Sequence, residues 1–193
     1  MNQSVKHVLF ICMGNSARGL MAEALLNIKS KGLFHAHSAG VHPGGLINPF
    51  AAELIAQAGY PVERLRCKRW EEFIGPNARR LDFVICLCDQ VQGIPQPEWP
   101  GNPIIATWDI EDPTSTTGSI EEKREVFRRV SRQIEEHIDL FLMLPHDSFD
   151  HDVLRQELND FPLLCTRHAK PANQALQEDL ADRDDTGAIL QAQ

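Results

Sequence analysis

A short apolar run near the N-terminus constrains the fold more than any other feature of the sequence. Residues 8–12 are Val-Leu-Phe-Ile-Cys, with none of the polar alternation of a half-exposed strand. Such a run is typical of a parallel strand that is buried on both faces. A glycine-containing turn follows it, and residues 17–31 then carry apolar side chains at helical spacing before Gly32. We therefore predict a strand, a tight turn and a helix.

The alternation of strand and helix continues along the chain. Further strands are predicted at residues 34–39, 81–88 and 104–108. One helix is predicted from Asn48 to about Ala58, and the longest begins at a Ser119–Glu122 capping box and ends at Pro145. Its apolar stripe is predicted at Val126, Val130, Ile134, Ile138 and Leu142. This order of elements predicts an α/β fold with a mostly parallel sheet.

The distribution of charge predicts two parts. Residues 1–145 contain 15 Lys and Arg against 17 Asp and Glu, whereas residues 146–193 contain 4 against 10. We expect one domain over residues 1–145 and an acidic C-terminal extension over 146–193, partly helical or disordered. Within the extension, apolar residues between Val153 and Leu164 predict a short amphipathic element. Neither part has the basic excess of a nucleic-acid-binding protein.

Membrane insertion and secretion are not expected from this sequence. No apolar run approaches the roughly 20 residues of a membrane span, and no signal-peptide cleavage site follows residues 1–6. The five cysteines are an odd number at uneven spacing, which indicates reduced thiols rather than a disulfide framework. We predict a cytoplasmic protein that does not associate with membranes.

The turn between the first strand and the first helix carries residues suited to chemistry. Cys12 and Arg18 are separated by five residues, and Gly14 and Asn15 between them accept the positive φ of a tight loop. Backbone N–H groups of such a turn converge on an anion, to which Arg18 adds a guanidinium. The predicted oxyanion-binding residues are Met13, Gly14, Asn15, Ser16, Ala17 and Arg18. The same field favours a thiolate, so we expect a lowered pKa for Cys12 and a nucleophilic sulfur.

Residues 10–18, Phe-Ile-Cys-Met-Gly-Asn-Ser-Ala-Arg, resemble the phosphate loop of low-molecular-weight protein tyrosine phosphatases and of the arsenate reductases that share their fold. Further matching segments are Met21-Ala22-Glu23-Ala24, His37-Ser38-Ala39-Gly40, Asn48-Pro49, Asp82-Phe83-Val84-Ile85, Cys88-Asp89, Trp108 and Asp112-Pro113. The resemblance covers about residues 6–143. It implies a four-stranded parallel sheet flanked by helices, with the site at the carboxyl ends of the strands. It also implies that Asp112 is the general acid.

Two activities fit this resemblance. A phosphatase needs only one cysteine, whereas arsenate reduction needs a further thiol that reaches the adduct on Cys12. Cys88 aligns with the resolving cysteine of the reductases, while Cys86 is interpreted as a core residue and Cys67 and Cys165 as bystanders. The segment after Asp112 is small and polar, without the tyrosine that lines the cleft of the phosphatases. We therefore predict an arsenate reductase, with a low-molecular-weight phosphotyrosine phosphatase as the alternative.

A third hypothesis is a catalytically weak oxyanion-binding module. It rests on Gly19, because the family usually carries serine or threonine there to hydrogen-bond the catalytic thiolate. Reductases with a three-cysteine relay carry another cysteine where this chain has Pro95. We therefore expect an external thiol, glutathione with a glutaredoxin, to serve as reductant more readily than thioredoxin. The expected substrate is a small oxyanion, arsenate or a phosphate ester.

The resemblance implies one cation site and leaves the histidines without an assigned role. Asn15, Glu23 and Ser38 match positions that help to hold a monovalent cation in some of the reductases. No other cofactor is expected. Residues of metal-ligand type also occur as His35, His37 and His42 and as His146, Asp147, Asp150, His151 and Asp152. We interpret the first group as structural or solvent-facing and expect no metal site in either group.

Overall fold

The computed structural model describes residues 4–146 and 150–168, without the side chains of residue 92 and residues 162–168. Four strands form one sheet: β1 (Lys6–Cys12), β2 (Phe34–Gly40), β3 (Phe83–Cys86) and β4 (Ile104–Thr107). Their order is β2-β1-β3-β4, and every neighbouring pair is parallel. Cys12 lies beside Gly40, and Cys86 lies between Ile11 and Thr107. The predicted four-stranded parallel sheet is confirmed.

Helices connect the strands and follow the last of them. They are α1 (Arg18–Lys29), α2 (Pro49–Gln57), α3 (Asp89–Gln92), α4 (Ile120–Met143) and α5 (His151–His168). Short 3-10 helices lie at Val62–Arg64, Trp70–Phe73 and Pro113–Ser115. The predicted caps are confirmed: Asn48 accepts from the amide of Phe50, and Ser119 and Glu122 form a reciprocal capping box. None of the described helices is long and apolar enough to cross a membrane.

Apolar side chains cover both faces of the sheet, as a continuous apolar strand requires. Val8 and Phe10 of β1 lie in the larger core with residues of α1 and α4, whereas Leu9 and Ile11 face a smaller core. The buried face of α4 consists of Phe127, Val130, Ile134, His137, Ile138 and Phe141. The predicted stripe was therefore wrong at its ends, where Val126 and Leu142 are only partly buried. Phe127 and Phe141, each one position from the predicted residue, are buried instead.

Two strands end earlier than predicted. β3 stops at Cys86, so that Cys88 lies beyond the strand as the residue that caps α3. β4 stops at Thr107, and Trp108 is fully buried in the core after it. The backbone amide of Leu87 still donates to the carbonyl of Ile11 in β1, and the chain then turns into α3. An apolar run in the sequence does not distinguish the last paired residue from a buried residue that follows it.

The C-terminal helix α5 packs its first turns into the larger core. Leu154, Leu158 and Phe161 are almost completely buried. The ring of Phe161 lies 6.1 Å from that of Trp108, and Asn159 Oδ1 accepts from the amide of Thr107 at 2.9 Å. The described residues up to Pro162 form one compact unit, and a second begins at Leu163.

The predicted amphipathic element is thus the beginning of a longer helix. Its apolar positions Leu163 and Leu164 have side chains outside the described residues. The expectation for residues 169–193 lies outside them as well, and the division of the chain at residue 145 stays a prediction.

Candidate active site

The loop between β1 and α1 is built to face an anion with backbone N–H groups. Ala17 precedes α1 without a side-chain cap, so the first amides of the helix keep their donors. Asn15 has a φ of 45°, as predicted, and its amide donates to Cys12 Sγ at 3.3 Å. Of the two residues that tolerate a positive φ, Asn15 adopts it and Gly14 does not.

The loop is held in place through its carbonyl groups. The carbonyl oxygens of Cys12, Met13, Gly14 and Ser16 accept from the amides of Val41, His42, Gly44 and Asn48, at 2.8 to 3.2 Å. These bonds direct the four carbonyls towards the segment after β2 and fix the path of the loop. Gly40 is required at this contact, because a Cβ atom there would lie 2.9 Å from the carbonyl oxygen of Met13. The sequence analysis missed this anchoring role of residues 40–48.

Cys12 is almost completely buried beneath the loop. Burial raises the pKa of its thiol above the ordinary value, and the charge of Arg18 and the amides of Gly19 and Asn15 only partly oppose this. The expectation of a lowered pKa was therefore wrong: the predicted donors are present, but removal of the sulfur from water outweighs them. The structure thus favours a protonated sulfur, and its proton must leave before or during attack on a bound oxyanion.

Arg18 and Asp112 form an ion pair at the mouth of the site. Arg18 Nη2 donates to Asp112 Oδ2 at 2.8 Å, and Nη1 donates to the carbonyl of Ile110 at 2.9 Å. The other oxygen of Asp112 accepts from the amide and hydroxyl of Thr114, at 3.0 and 2.7 Å. Arg18 is buried, whereas the Asp112 side chain is 40% exposed. Three of the five guanidinium N–H groups remain for an oxyanion, and the carboxyl group stands beside them.

A small cavity joins these residues. Its volume is about 40 Å³, and its lining consists of Cys12, Gly14, Asn15, Ser16, Ala17, Arg18, Asp112 and Thr114. That volume has room for about three water molecules by the usual measure, which suits a small tetrahedral anion. Among the described residues, no aromatic ring lines this cavity. Trp108 is fully buried in the core. Met13 does not line the cavity, so its predicted oxyanion contact stays a prediction.

A second buried thiol lies near the first. Cys88 is 4% exposed and is the N-terminal cap residue of α3. Because β3 runs parallel to β1, Cys88 lies at the same edge of the sheet as Cys12. Cys86 is packed between β1 and β4, and burial raises its pKa to about 12. Cys67 is half-buried. Of the thiols described, Cys88 is therefore the one best placed to accompany Cys12.

A buried polar cluster lies behind the loop. Glu23 Oε2 accepts from Ser38 Oγ at 2.6 Å and from Lys68 Nζ at 3.0 Å. Asn15 Oδ1 accepts from the backbone amide of Lys68 at 2.9 Å. The structure thus brings together the three residues that the resemblance connects with a monovalent cation. It adds Lys68, whose ammonium group no pattern in the sequence singled out.

Gly19 lies where this cluster meets Cys12. Its amide donates towards the Cys12 sulfur. A Cβ atom at this position would lie 2.7 Å from Asn15 Nδ2 and 3.2 Å from Ser38 Cβ. The space of the missing side chain is therefore filled, which gives a steric reason for glycine where the family usually carries serine or threonine.

None of the described histidine side chains lines the cavity. The ring of His37 stacks on those of His35 and His7, and the rings of His7 and His35 are tilted against each other. His42 is exposed. His146 Nε2 donates to the carbonyl oxygen of Phe141 at 2.7 Å. Asp150 Oδ1 caps the amide of Asp152, and Asp147 lies outside the described residues.

Together, the parallel sheet and the loop place a buried thiol, a guanidinium and a carboxyl group at the carboxyl ends of the strands, the usual position of ligand sites in open α/β sheets. Comparison with known proteins agrees. The family profile of the low molecular weight phosphotyrosine protein phosphatases matches residues 7–153, and the chain belongs to this family.

Relatives within the family are named as reductases. The chain is 30% identical over 135 residues to "Glutaredoxin arsenate reductase" of Synechocystis sp., covering 70% of this chain and 95% of that protein. It is 32% identical over 139 residues to "Arsenate reductase" of Bacillus licheniformis, covering 72% and 96%. A solved structure described as "An arsenate reductase in the phosphate binding state" superposes with a TM-score of 0.57 at 26% identity, covering 72% and 97%.

Proposed function

We propose that the protein is a thiol-dependent arsenate reductase. The observation that carries the proposal is the combination of two features: a cavity of about 40 Å³ that no aromatic ring of the described residues lines, and a second buried thiol, Cys88, at the same edge of the sheet as Cys12. The cavity suits an inorganic oxyanion better than the ring of phosphotyrosine. The second thiol supplies the electrons that hydrolysis does not need.

The first step forms a bond between sulfur and arsenic. The loop amides and Arg18 hold three oxygens of arsenate, and this places arsenic above Cys12 Sγ. The thiol proton passes to the bound anion as the sulfur attacks, because burial disfavours a free thiolate. Asp112 donates a proton to the departing oxygen, which leaves as water. The product is a covalent adduct of Cys12 with arsenic still in oxidation state V.

The second step reduces the arsenic. The sulfur of Cys88 attacks Cys12 Sγ, so that a disulfide forms and the sulfur–arsenic bond breaks, and the proton of the Cys88 thiol passes to the departing arsenite. The electron pair of that bond stays on arsenic, which leaves as arsenite in oxidation state III. Two thiols are thus oxidised by two electrons, and one arsenate becomes one arsenite and one water. The step requires α3 to let Cys88 approach, since Cys88 caps that helix.

An external thiol must then reduce the disulfide. The named relative from Synechocystis sp. is a glutaredoxin arsenate reductase. In this chain Pro95 stands two residues after Gly93, which ends α3, so no third cysteine follows Cys88 in this segment. We therefore propose glutathione with a glutaredoxin as the reductant. Thioredoxin is the competing reductant that the assay must include.

Phosphate ester hydrolysis is the second candidate function. The matched family carries the phosphatase name, and Cys12, Arg18 and Asp112 together are sufficient for a phosphoenzyme mechanism. That reaction does not use Cys88. The two activities can therefore be separated by one substitution.

The test is a paired assay on purified, reduced protein. One part measures arsenite release from arsenate with glutathione and glutaredoxin, and separately with thioredoxin and its reductase. The other part measures hydrolysis of an aryl phosphate. The variants are Cys12→Ser, Cys88→Ser and, as a matched control, Cys67→Ser, which removes a half-buried thiol away from the cavity.

The reductase proposal predicts that arsenite release is lost in Cys12→Ser and Cys88→Ser and retained in Cys67→Ser. Cys88→Ser should still bind inorganic phosphate, because the loop is intact. Aryl phosphate turnover without arsenite release would overturn the proposal in favour of a phosphatase. Inactivity in both assays, with phosphate binding retained, would favour the oxyanion-binding module.

A further inference from the structure

The cluster behind the oxyanion loop contains its own cation. Glu23 and Lys68 are 7% and 8% exposed, and their charged groups are 3.0 Å apart. A carboxylate so far from water requires a positive partner or a proton. Lys68 Nζ supplies the charge, and it also donates to the carbonyl of Arg66 at 3.2 Å. The ammonium therefore has two acceptors and a fixed position.

The residues do not suit an added alkali cation. Such an ion binds to oxygen atoms, and the candidates are Glu23, Asn15 and Ser38. Glu23 Oε2 already accepts from Ser38 and Lys68, and Asn15 Oδ1 accepts from the amide of Lys68. An added cation would lie next to the ammonium and compete with it for the same oxygens. The expectation of a monovalent cation at these residues thus disagrees with the structure.

We propose that the Lys68 ammonium replaces the monovalent cation and positions the oxyanion loop, making this protein independent of potassium. Three groups of Lys68 make contacts that connect it to the loop. Its side chain neutralises Glu23, its amide orients Asn15, and its carbonyl accepts from Gly40 at 2.8 Å. Asn15 in turn donates to Cys12 Sγ. Lys68 is a positioning residue, since it touches neither the cavity nor Cys12.

The first test uses the unaltered protein. Its thermal midpoint Tm and its Kd for inorganic phosphate are measured in KCl, NaCl and choline chloride at equal ionic strength. Choline is too large for the cluster and serves as the control for screening. We expect the same Tm and the same phosphate Kd in all three salts. A potassium-specific rise in Tm or a tighter phosphate Kd would overturn the proposal.

The second test uses variants of the ion pair. Lys68→Met should lower Tm in choline chloride by roughly 6–20 °C, because it leaves a buried carboxylate unpaired. Potassium should recover part of this loss by entering the vacated position. The double variant Lys68→Met with Glu23→Gln removes both charges and should be more stable than Lys68→Met alone. Lys29→Met, which removes a partly exposed lysine paired with Glu135, is the matched control and should show no potassium effect.

Each result decides the question independently of arsenate reduction, because the readouts are unfolding and phosphate binding. If Lys68→Met does not fold, the salt series on the unaltered protein and the double variant still apply. If Lys68→Met keeps the Tm and phosphate Kd of the unaltered protein, the positioning role is refuted. If the unaltered protein releases no arsenite but the salt series and the variants behave as expected, the proposed function is refuted and the role of Lys68 still holds.

A different observation concerns the three stacked histidines. His7 of β1 lies beside His35 of β2, and His37 is two residues further along the same face. Each offers one ring nitrogen, and these three atoms lie within 4.8 Å of one another. His7 Nδ1 and His37 Nε2 are buried without a hydrogen-bond partner. Cys12 is five residues along β1 from His7, or about 16 Å, so this group is separate from the oxyanion site.

We propose that these histidines bind one divalent transition-metal ion of the zinc class. Three imidazole nitrogens form a donor set that such ions prefer, with the remaining position open to water. Arg79 Nη1 lies 3.3 Å from His7 Nε2. The positive charge of Arg79 repels a bound metal cation.

The test is titration of metal-free protein with Zn²⁺ by calorimetry and with Co²⁺ by absorption. We expect one ion per chain, lost in His35→Gln and His37→Gln and retained in His42→Gln, an exposed histidine outside the group. Arg79→Ala should tighten binding, because it removes the opposing charge. Binding unchanged by His35→Gln and His37→Gln, a sulfur-to-cobalt charge-transfer band, or no binding at micromolar protein would overturn the proposal.

Discussion

Replacement of one ring in the C-terminal helix should destabilise the whole domain. Phe161 of α5 is 2% exposed, and its ring lies 6.1 Å from Trp108 and 6.3 Å from His137. Phe161→Ala therefore leaves a cavity between α5, α4 and the end of β4. The segment that carries Asp112 begins directly after Trp108, so a loss of packing against α5 should also affect the position of Asp112.

The expected magnitude follows from the burial. Truncation of a buried phenylalanine to alanine costs about 3–5 kcal/mol. In a chain of this size each kcal/mol lowers Tm by about 2–4 °C, so we expect a fall of roughly 6–20 °C. The matched control is Val153→Ala on the same helix, where the side chain is 45% exposed. That change should alter the free energy of unfolding by no more than about 0.5 kcal/mol.

The assay is equilibrium unfolding in urea, followed by tryptophan fluorescence and by far-ultraviolet circular dichroism. The two signals should coincide, and the slope of the free energy against urea should be unchanged. A loss of less than about 1 kcal/mol for Phe161→Ala, equal to that of Val153→Ala, would refute the reasoning. It would mean that α5 does not contribute to the core in solution.

Three further predictions concern the site and its surroundings. The pKa of His37 is lowered to about 4 from 6.5, so its contribution to stability is complete above pH 6.5 and is lost as pH falls towards 4. His37→Gln should therefore flatten the dependence of the free energy of unfolding on pH between pH 6.5 and 4. An unchanged slope in that range would contradict the lowered pKa. Gly19→Ser should lower the free energy of unfolding by about 1–3 kcal/mol and weaken phosphate binding, because the new Cβ atom would lie 2.7 Å from Asn15 Nδ2. The control Gly44→Ala has open space around the new Cβ atom and should change neither quantity. Stronger phosphate binding in Gly19→Ser would refute the steric argument. Asp112→Asn should lower arsenite release by about 10²–10⁴-fold with phosphate binding retained, as expected for a lost proton donor; full turnover at neutral pH would exclude Asp112 as the acid.

Local sequence signals predicted the secondary structure around the loop with few errors. The apolar run of β1, the Asn48 cap and the Ser119–Glu122 capping box each depend on residues within a few positions of one another. Interactions between residues so close in the chain can be predicted from the sequence. The ends of β3 and β4 were less predictable, because pairing ends where a neighbouring strand ends.

The candidate site could be predicted only in part. The spacing of Cys12 and Arg18 on a strand–turn–helix unit was enough to predict an oxyanion loop, and the resemblance added Asp112 and Cys88. Lys68 was missed, since an isolated lysine in a sequence is usually a solvated one. Its role depends on burial beside Glu23, 45 residues away along the chain.

The order of strands and helices and the residue types at the loop after β1 could be read from the chain, because both follow from local patterns of polarity and from the conformational preferences of single residues. The charge balance around that loop could not, because it depends on the packing of distant segments. Burial raised the pKa of Cys12 where spacing predicted a lowered one, and it paired Glu23 with Lys68. The physical reason is that the cost of a charge depends on how much water the whole fold removes from it, and no local pattern contains that quantity.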